Sequence, residues 1–388
     1  METMEKILGQ LCKFPHRGAT TTNEQKCAHY IANILAETGI SVNIESFKSP
    51  ETYGWEIIGI ALLGVLSVSL GPFYPNIAAM FAALSLWFFY RHFTGQKTPL
   101  TVLNPNGISQ NVIAEIKPEN DANQHVVLMA HYDTTRKGLL WHPRLIGNFR
   151  KSFQFDAALH FLLVPWVWLG NEFGTYPWYQ LICLGIGLFY IVQIGIFLQR
   201  EIRPEYVNGA NDNASGVSLI LKLAEYFRNK PLENTKLQLV FTGAEEAGMH
   251  GAHTFIENHE SEITQDNTFI LNFDNIGAGN LNYCSGEGML SFWAYDQYLV
   301  KAASELTELS EFQSMGSTRY TLAYFDTLPF VQQGYKCISF IGLDDNSAIP
   351  NWHWNTDTPD RIDWNTMNMA FNFGKKYIQK IDRNGVSK

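Results

Sequence analysis

Cysteine is scarce in this chain, and so is charge. Its 388 residues hold five cysteines, Cys12, Cys27, Cys183, Cys284 and Cys337, scattered and without a CxxC pair. That spacing excludes a disulfide framework and a structural zinc ribbon, and it fits a reducing compartment. Charged residues make up 17%, against about 25% in ordinary soluble domains. Lys and Arg total 28 against 37 Asp and Glu, a formal net charge of -9, so a nucleic-acid partner, which needs a clustered basic face, is excluded. There is no internal repeat and no low-complexity linker, and the opening METMEKILGQLCKFPHRG lacks the apolar core of a secretory signal. A 46% hydrophobic share excludes disorder. The length suits two or three domains, or one large α/β domain with insertions.

Apolar residues, by contrast, are plentiful and concentrated in four runs, 57–70, 76–90, 157–169 and 178–198. Only the last reaches the roughly 20 residues that cross a ~30 Å hydrocarbon core. Gly71-Pro72-Phe73-Tyr74-Pro75 joins the first two runs, and a short segment from Gly170 to Tyr176 joins the last two. Each pair therefore predicts a helical hairpin, at 55–92 and at 155–199. Lys48, Arg91, Lys97, Arg144, Arg150, Lys151, Arg200 and Arg203 flank the outer ends, while neither tip holds Lys or Arg. The positive-inside rule then puts the tips across a membrane, with both termini and the polar remainder cytoplasmic. Trp55, Trp87, Trp166, Trp168 and Trp178 sit toward run ends, where an interfacial belt would place them. Glu56, Asp156 and His160, at or inside run edges, speak for buried core helices or a dimer-forming lid instead.

The rest reads as an α/β protein. Strand patterns occur at 111–116, 125–130, 236–241, 268–273 and 337–341, and helical patterns at 24–38, 214–227, 289–306 and 364–381. Their alternation predicts a mixed, twisted sheet with helices on both faces. The expected organisation is one domain over 1–388, interrupted by the two hairpins.

The informative polar clusters follow predicted strands. Residues 125–130 run into His131-Tyr132-Asp133, residues 237–242 into Gly243-Ala244-Glu245-Glu246, and residues 269–273 into Asp274. Ligands in open α/β sheets bind outside the carboxyl ends of strands, so these turns should converge. Asn211-Asp212-Asn213-Ala214-Ser215-Gly216 precedes a helix, and Trp352-His353-Trp354-Asn355-Thr356-Asp357 lies in a late loop. The sequon Asn213-Ala214-Ser215 falls inside the first of these and reads as chance. His131, Asp212, Glu246, Asp274 and His353 make a mixed nitrogen and oxygen donor set suited to two zinc ions. Three carboxylates offset most of the charge such ions bring. Glu245, without a metal, is left as general base, and Asp133 could hold the second ring nitrogen of His131. His125, His142, His250, His253 and His259 lack this context and read as surface or supporting groups.

Taken in order, HYD, NDNASG, GAEE, FD and a late His resemble peptidase family M28, the zinc-dependent exopeptidases. The resemblance covers residues 1–50, about 100–135 and 205–388, and leaves the apolar runs outside it. It implies two zinc ions per chain, held by His131, Asp212, Glu246, Asp274 and His353, with Asp212 bridging, Glu245 as base and a peptide as substrate. It also implies a cis peptide at Asp212-Asn213. Phe325-Asp326-Thr327-Leu328-Pro329-Phe330 resembles the family's Ser-Asp-x-x-Pro-Phe stretch beside the substrate pocket, with Phe325 in place of Ser; Asp326 is thereby a candidate substrate-binding residue. Arg319 is a second candidate, for an acidic group or a C-terminus, and a surface role suits it equally.

The expected function is a membrane-anchored metallo-exopeptidase, an aminopeptidase before a carboxypeptidase, with the bilayer as partner through its hairpins. Two alternatives stand beside it: a single-zinc glutaminyl cyclase on a related scaffold, and a non-catalytic membrane scaffold.

Overall fold

Two strands, Gln124–His131 and Thr268–Phe273, are buried at every position, which requires a sheet covered on both faces. The computed structural model describes residues 2–384. In chain order it runs α1 (Met4–Leu11), α2 (Thr22–Glu37), β1 (Val42–Pro50), α3 (Gly54–Leu70), α4 (Pro75–His92), β2 (Asn106–Ile116), β3 (Gln124–His131) and α5 (Phe149–Trp168). Then come α6 (Gly170–Phe173), α7 (Pro177–Ile202), α8 (Ser215–Asn229), β4 (Thr235–Thr242), α9 (His250–His259), β5 (Thr268–Phe273), β6 (Asn280–Glu287) and β7 (Trp293–Ala294). The chain closes with α10 (Gln297–Thr307), β8 (Gly316–Tyr320), α11 (Leu328–Gln332), β9 (Lys336–Leu343) and α12 (Trp364–Asn384). The strands form one nine-stranded mixed sheet in the order β1-β2-β4-β3-β5-β9-β6-β7, with β8 against β6.

The central strands β4, β3, β5 and β9 are mutually parallel. His131 stands opposite Thr242 in this register, so the ends of β3 and β4 deliver their following turns side by side. All five predicted strands are present within this sheet. The helix expected over 289–306 starts only at Gln297, where the Asp296 side chain accepts the Leu299 amide at 3.1 Å. Before it, Trp293 and Ala294 form β7, which pairs with β6. Strands β1, β6 and β8 had no clear apolar alternation to announce them; β1 keeps several residues at least partly exposed at the sheet edge.

Each apolar pair is helical throughout, and the arms of the second, α5 and α7, meet through side chains, with Trp166 stacked on Tyr179 and His160 edge-on to Tyr190, both at 5.2 Å. α3 packs against both α4 and α7, and α4 packs against α5. The first hairpin is thus the centre of a four-helix bundle, ordered α7-α3-α4-α5, and the second supplies its two outer arms. Ala61, Val68, Ala78, Ala82, Leu163, Val167, Tyr179 and Tyr190 form a separate core inside it. Outward, Leu66, Met80, Trp87, Phe155, Leu162, Leu181, Leu184 and Leu188 are all exposed. Among the described residues, α7 alone is long and apolar enough to cross a membrane, and 22% of its most apolar window is buried. A core helix would be mostly buried; this one is not.

The candidate metal centre

The turns after β3, β4 and β5 meet the Asn211–Asn213 loop and the His353 loop at the carboxyl end of the sheet. His131 Nε2 lies 3.1 Å from Asp212 Oδ1 and 3.4 Å from Asp274 Oδ1. His353 Nε2 lies 3.2 Å from the other Asp212 oxygen, Oδ2, and 3.3 Å from Glu246 Oε1. Two donor groups result, His131-Asp212-Asp274 and Asp212-Glu246-His353, the atoms of each within 4.8 Å of one another. Asp212 belongs to both, through different oxygens.

The electrostatics of this cluster call for cations. Burial raises the carboxyl pKa of Glu246 and of Asp274, and that of Glu245 well above its ordinary value. Burial opposes charge on His353, yet Glu246 and Asp212 outweigh it and push the imidazole up to about 9. His353 Nδ1 is buried without a hydrogen-bond partner. Crowded carboxylates at imidazole nitrogens suit divalent metal, and mixed His and carboxylate donors suit zinc.

Two aspartates hold the donor loops in place. Asp133 accepts the backbone amides of Glu245 (3.0 Å) and Glu246 (3.1 Å), one on each oxygen. The same carboxylate lies 3.5 Å from His131 Nδ1, the ring nitrogen it was expected to hold, and the Asp133 carbonyl oxygen lies 3.3 Å from that nitrogen. Asp357 does the same for the bridging loop, accepting the amides of Asn211 (2.7 Å) and Asp212 (3.0 Å). The sequence displayed Asp357 four residues after His353, and nothing there marked its role. Arg17 carried no signal at all. Fully buried, it binds the carbonyls of Tyr132 (2.7 Å), Asn208 (2.8 Å) and Gly209 (2.8 Å), tying the β3 turn to the bridging loop.

The backbone is strained where the donors sit. Ala244, Asn275 and His353 have φ of 52°, 53° and 51°, a region that non-glycine residues rarely enter and that clusters at functional sites. The Asp212-Asn213 peptide is cis, as the resemblance implied. Gly216 has no alternative, because a Cβ there would lie 2.2 Å from the Phe273 carbonyl oxygen.

A cavity of about 780 Å³ opens onto these groups, lined by His131, Asp212, Glu245, Glu246, Asp274 and His353. Glu245 belongs to neither donor group. The two candidate substrate residues do not line it. Asp326 is buried against the Thr242 hydroxyl, and Arg319 is exposed with its guanidinium 3.9 Å over the Phe292 ring. The surface reading of the other histidines is corrected as well. His125 and His259 are buried, and His250 and His253 line the cavity.

The chain resembles known proteins in sequence and in fold. The profile of peptidase family M28 matches residues 195–375, a stretch holding every donor except His131. A probable lipoprotein aminopeptidase, LpqL, of Mycobacterium tuberculosis is 28% identical over 179 residues. That match covers 40% of this chain and 36% of the relative, so the chain spans about a third of the relative's length. A glutaminyl cyclase from an Acidobacteriales bacterium superposes with a TM-score of 0.59 at 14% identity, over 99% of this chain and 94% of that one. A Zn-dependent exopeptidase from Parabacteroides distasonis gives 0.55 at 14% identity, over 99% and 97%. These superpositions establish a shared fold, and the sequence match adds that residues 195–375 of the chain are similar to peptidase family M28.

Proposed function

We propose that this chain is a membrane-inserted aminopeptidase that works with two zinc ions. The observation that carries the reading is the division of Asp212, one oxygen in each donor group, with Glu245 beside them and in neither. When bound, the ions supply Lewis acidity to a scissile carbonyl and bring the pKa of water toward ~7. Glu245, on the turn clamped by Asp133, takes the proton of the attacking water and passes it to the leaving amine. Burial lifts its carboxyl pKa, which favours the second, proton-donating half of that cycle. Asp133 and Asp357 act through the loops they hold. Asp326 acts behind the site, on Thr242.

The four-helix bundle is the membrane part. Residues 57–90 contain no Asp, Glu, Lys, Arg or His, and residues 161–199 contain Glu172 as their single charge. Helices of 17, 18, 20 and 26 residues extend roughly 26 to 39 Å, commensurate with a ~30 Å hydrocarbon core. The basic residues at the domain-side ends favour a cytoplasmic side for the catalytic domain.

The test is metal content and cleavage by detergent-purified protein. Two zinc ions per chain are expected, with unblocked peptides cleaved and N-acetylated ones resistant. Glu245→Gln should keep both ions and lose about 10²- to 10⁴-fold in turnover. A single ion, with ammonia released from N-terminal glutaminyl peptides, would establish cyclisation instead. Unchanged biological activity of Glu245→Gln would establish a scaffold.

A further inference from the structure

The cavity at the donor cluster does not end in the peptidase fold. It continues into the helix bundle, where Phe153, Phe155 and Asp156 of α5 face it together with Phe189, Val192 and Phe197 of α7. These two arms are the outer members of the bundle, with α3 and α4 on the other side of the ring. Near the tips Tyr179 closes the gap between them, its hydroxyl donating to the carbonyls of Trp166 and Val167 at 3.2 Å. Nearer the domain they meet through side chains, Gln193 Nε2 on Asp156 Oδ2 at 3.0 Å and Phe155 edge-on to Phe189 at 5.4 Å. Two residues that line the cavity here, Phe155 and Val192, are also 59% and 54% exposed. Leu162, Leu184 and Leu188 on the same two helices are exposed as well.

We propose that the substrates are apolar peptides resident in the bilayer, whose N-terminal ends reach the donor cluster through the opening between α5 and α7. This rests on the aminopeptidase reading above. Three observations favour a peptide over water-soluble ligands or bare hydrocarbon. First, about 780 Å³ lies high in the roughly 300–1,000 Å³ range of ligand sites, and the bundle-side walls are aromatic and aliphatic. Second, the residues at this end of the cavity lie on helices whose exposed side chains are apolar. Third, Gln193 Oε1 is buried without a hydrogen-bond partner beside this apolar passage. It is an acceptor, so the occupant should bring a hydrogen-bond donor. Backbone N–H groups do so; an alkyl chain does not. A chain entering from the lipid leaves its hydrophobic part in the bundle and presents its free amine and first peptide bond to the donors and Glu245.

The experiment compares two unblocked peptides of equal length that share their first two residues. One continues in Leu and Ala, the other in Ser and Gln, and both meet the zinc-loaded protein in phospholipid nanodiscs. The apolar peptide should show a kcat/KM higher by about tenfold or more. Val192→Trp, at an exposed position on the opening, should cut that ratio several-fold. A photoreactive leucine midway along the apolar peptide should crosslink to α5 and α7. Equal kcat/KM for the two peptides, or a ratio unmoved by Val192→Trp, would overturn the proposal while leaving the aminopeptidase reading standing. Crosslinking to the two arms without cleavage of either peptide would support the passage and overturn the aminopeptidase reading.

Discussion

Asp357 and Asp133 solve one problem twice. A metal donor on a loop is useful only if the loop is stiff, and each aspartate spends both carboxylate oxygens on two consecutive backbone amides. Removing one leaves two amides unpaired at the loop that carries a donor. Asp357→Ala should weaken zinc affinity by about 10- to 100-fold, measured by competition with a chromophoric chelator; unchanged affinity would show that the bridging loop holds itself. Elsewhere, His125 sits buried in β3, and burial, with Lys236 nearby, holds its pKa down to about 3. The folded protein therefore keeps this imidazole neutral while the unfolded chain takes up a proton below about 6.5. Stability due to this group is complete above that value and falls as pH drops toward 3, by up to about 1.4 kcal/mol per pH unit. Urea midpoints between pH 7 and 4 should decline less steeply for His125→Gln than for the parent.

At the scale of elements, the junction between bundle and domain is ionic. Arg136 pairs with Glu201, at the domain end of α7, at 2.6 Å and with Glu51 at 3.1 Å. Arg200 adds Glu201 at 2.7 Å and Thr52 at 2.8 Å, and its guanidinium lies 4.5 Å over the Tyr53 ring. Glu201 is fully buried at its side chain, so it depends on both arginines. Arg136→Ala should destabilise the fold by about 3–5 kcal/mol, because a buried carboxylate loses a partner. Arg136→Lys should recover part of that, and denaturant unfolding followed by tryptophan fluorescence measures both. The motifs for the donor loops were legible because each ends a strand or starts a helix, and such turns have compositional signals. The arrangement of the hairpin arms was not. Two apolar runs joined by a short loop predict a pair, yet α7 packs its backbone closest to α3 and meets α5 through side chains. Apolar spacing says that a face is buried without saying against which helix.

For the whole molecule, the apolar bundle and the acidic, polar domain differ in the surface they expose. An exposed apolar surface of this extent marks an interaction with lipid or protein, and in the membrane-inserted reading proposed above the basic residues at the domain-side ends give it a direction. Thr175→Cys, at the exposed tip before α7, should react with a membrane-impermeant maleimide in intact cells; labelling only after lysis would place the tip on the domain's side.

Local order and residue type decided much of this protein before any folding was considered. The strand-end motifs, the helical hairpins and the kinds of donor are written in neighbouring residues, because turn chemistry and hydrophobic period are short-range properties. What only the tertiary structure decided is proximity. His131 and Asp212 are separated by a whole hairpin, and Arg17 reaches loops nearly two hundred positions away. No local pattern encodes that closeness; it follows from parallel strands placing their carboxyl ends together. The continuity of the donor-lined cavity with the helix bundle was decided the same way, by which distant side chains the packing brought to one wall.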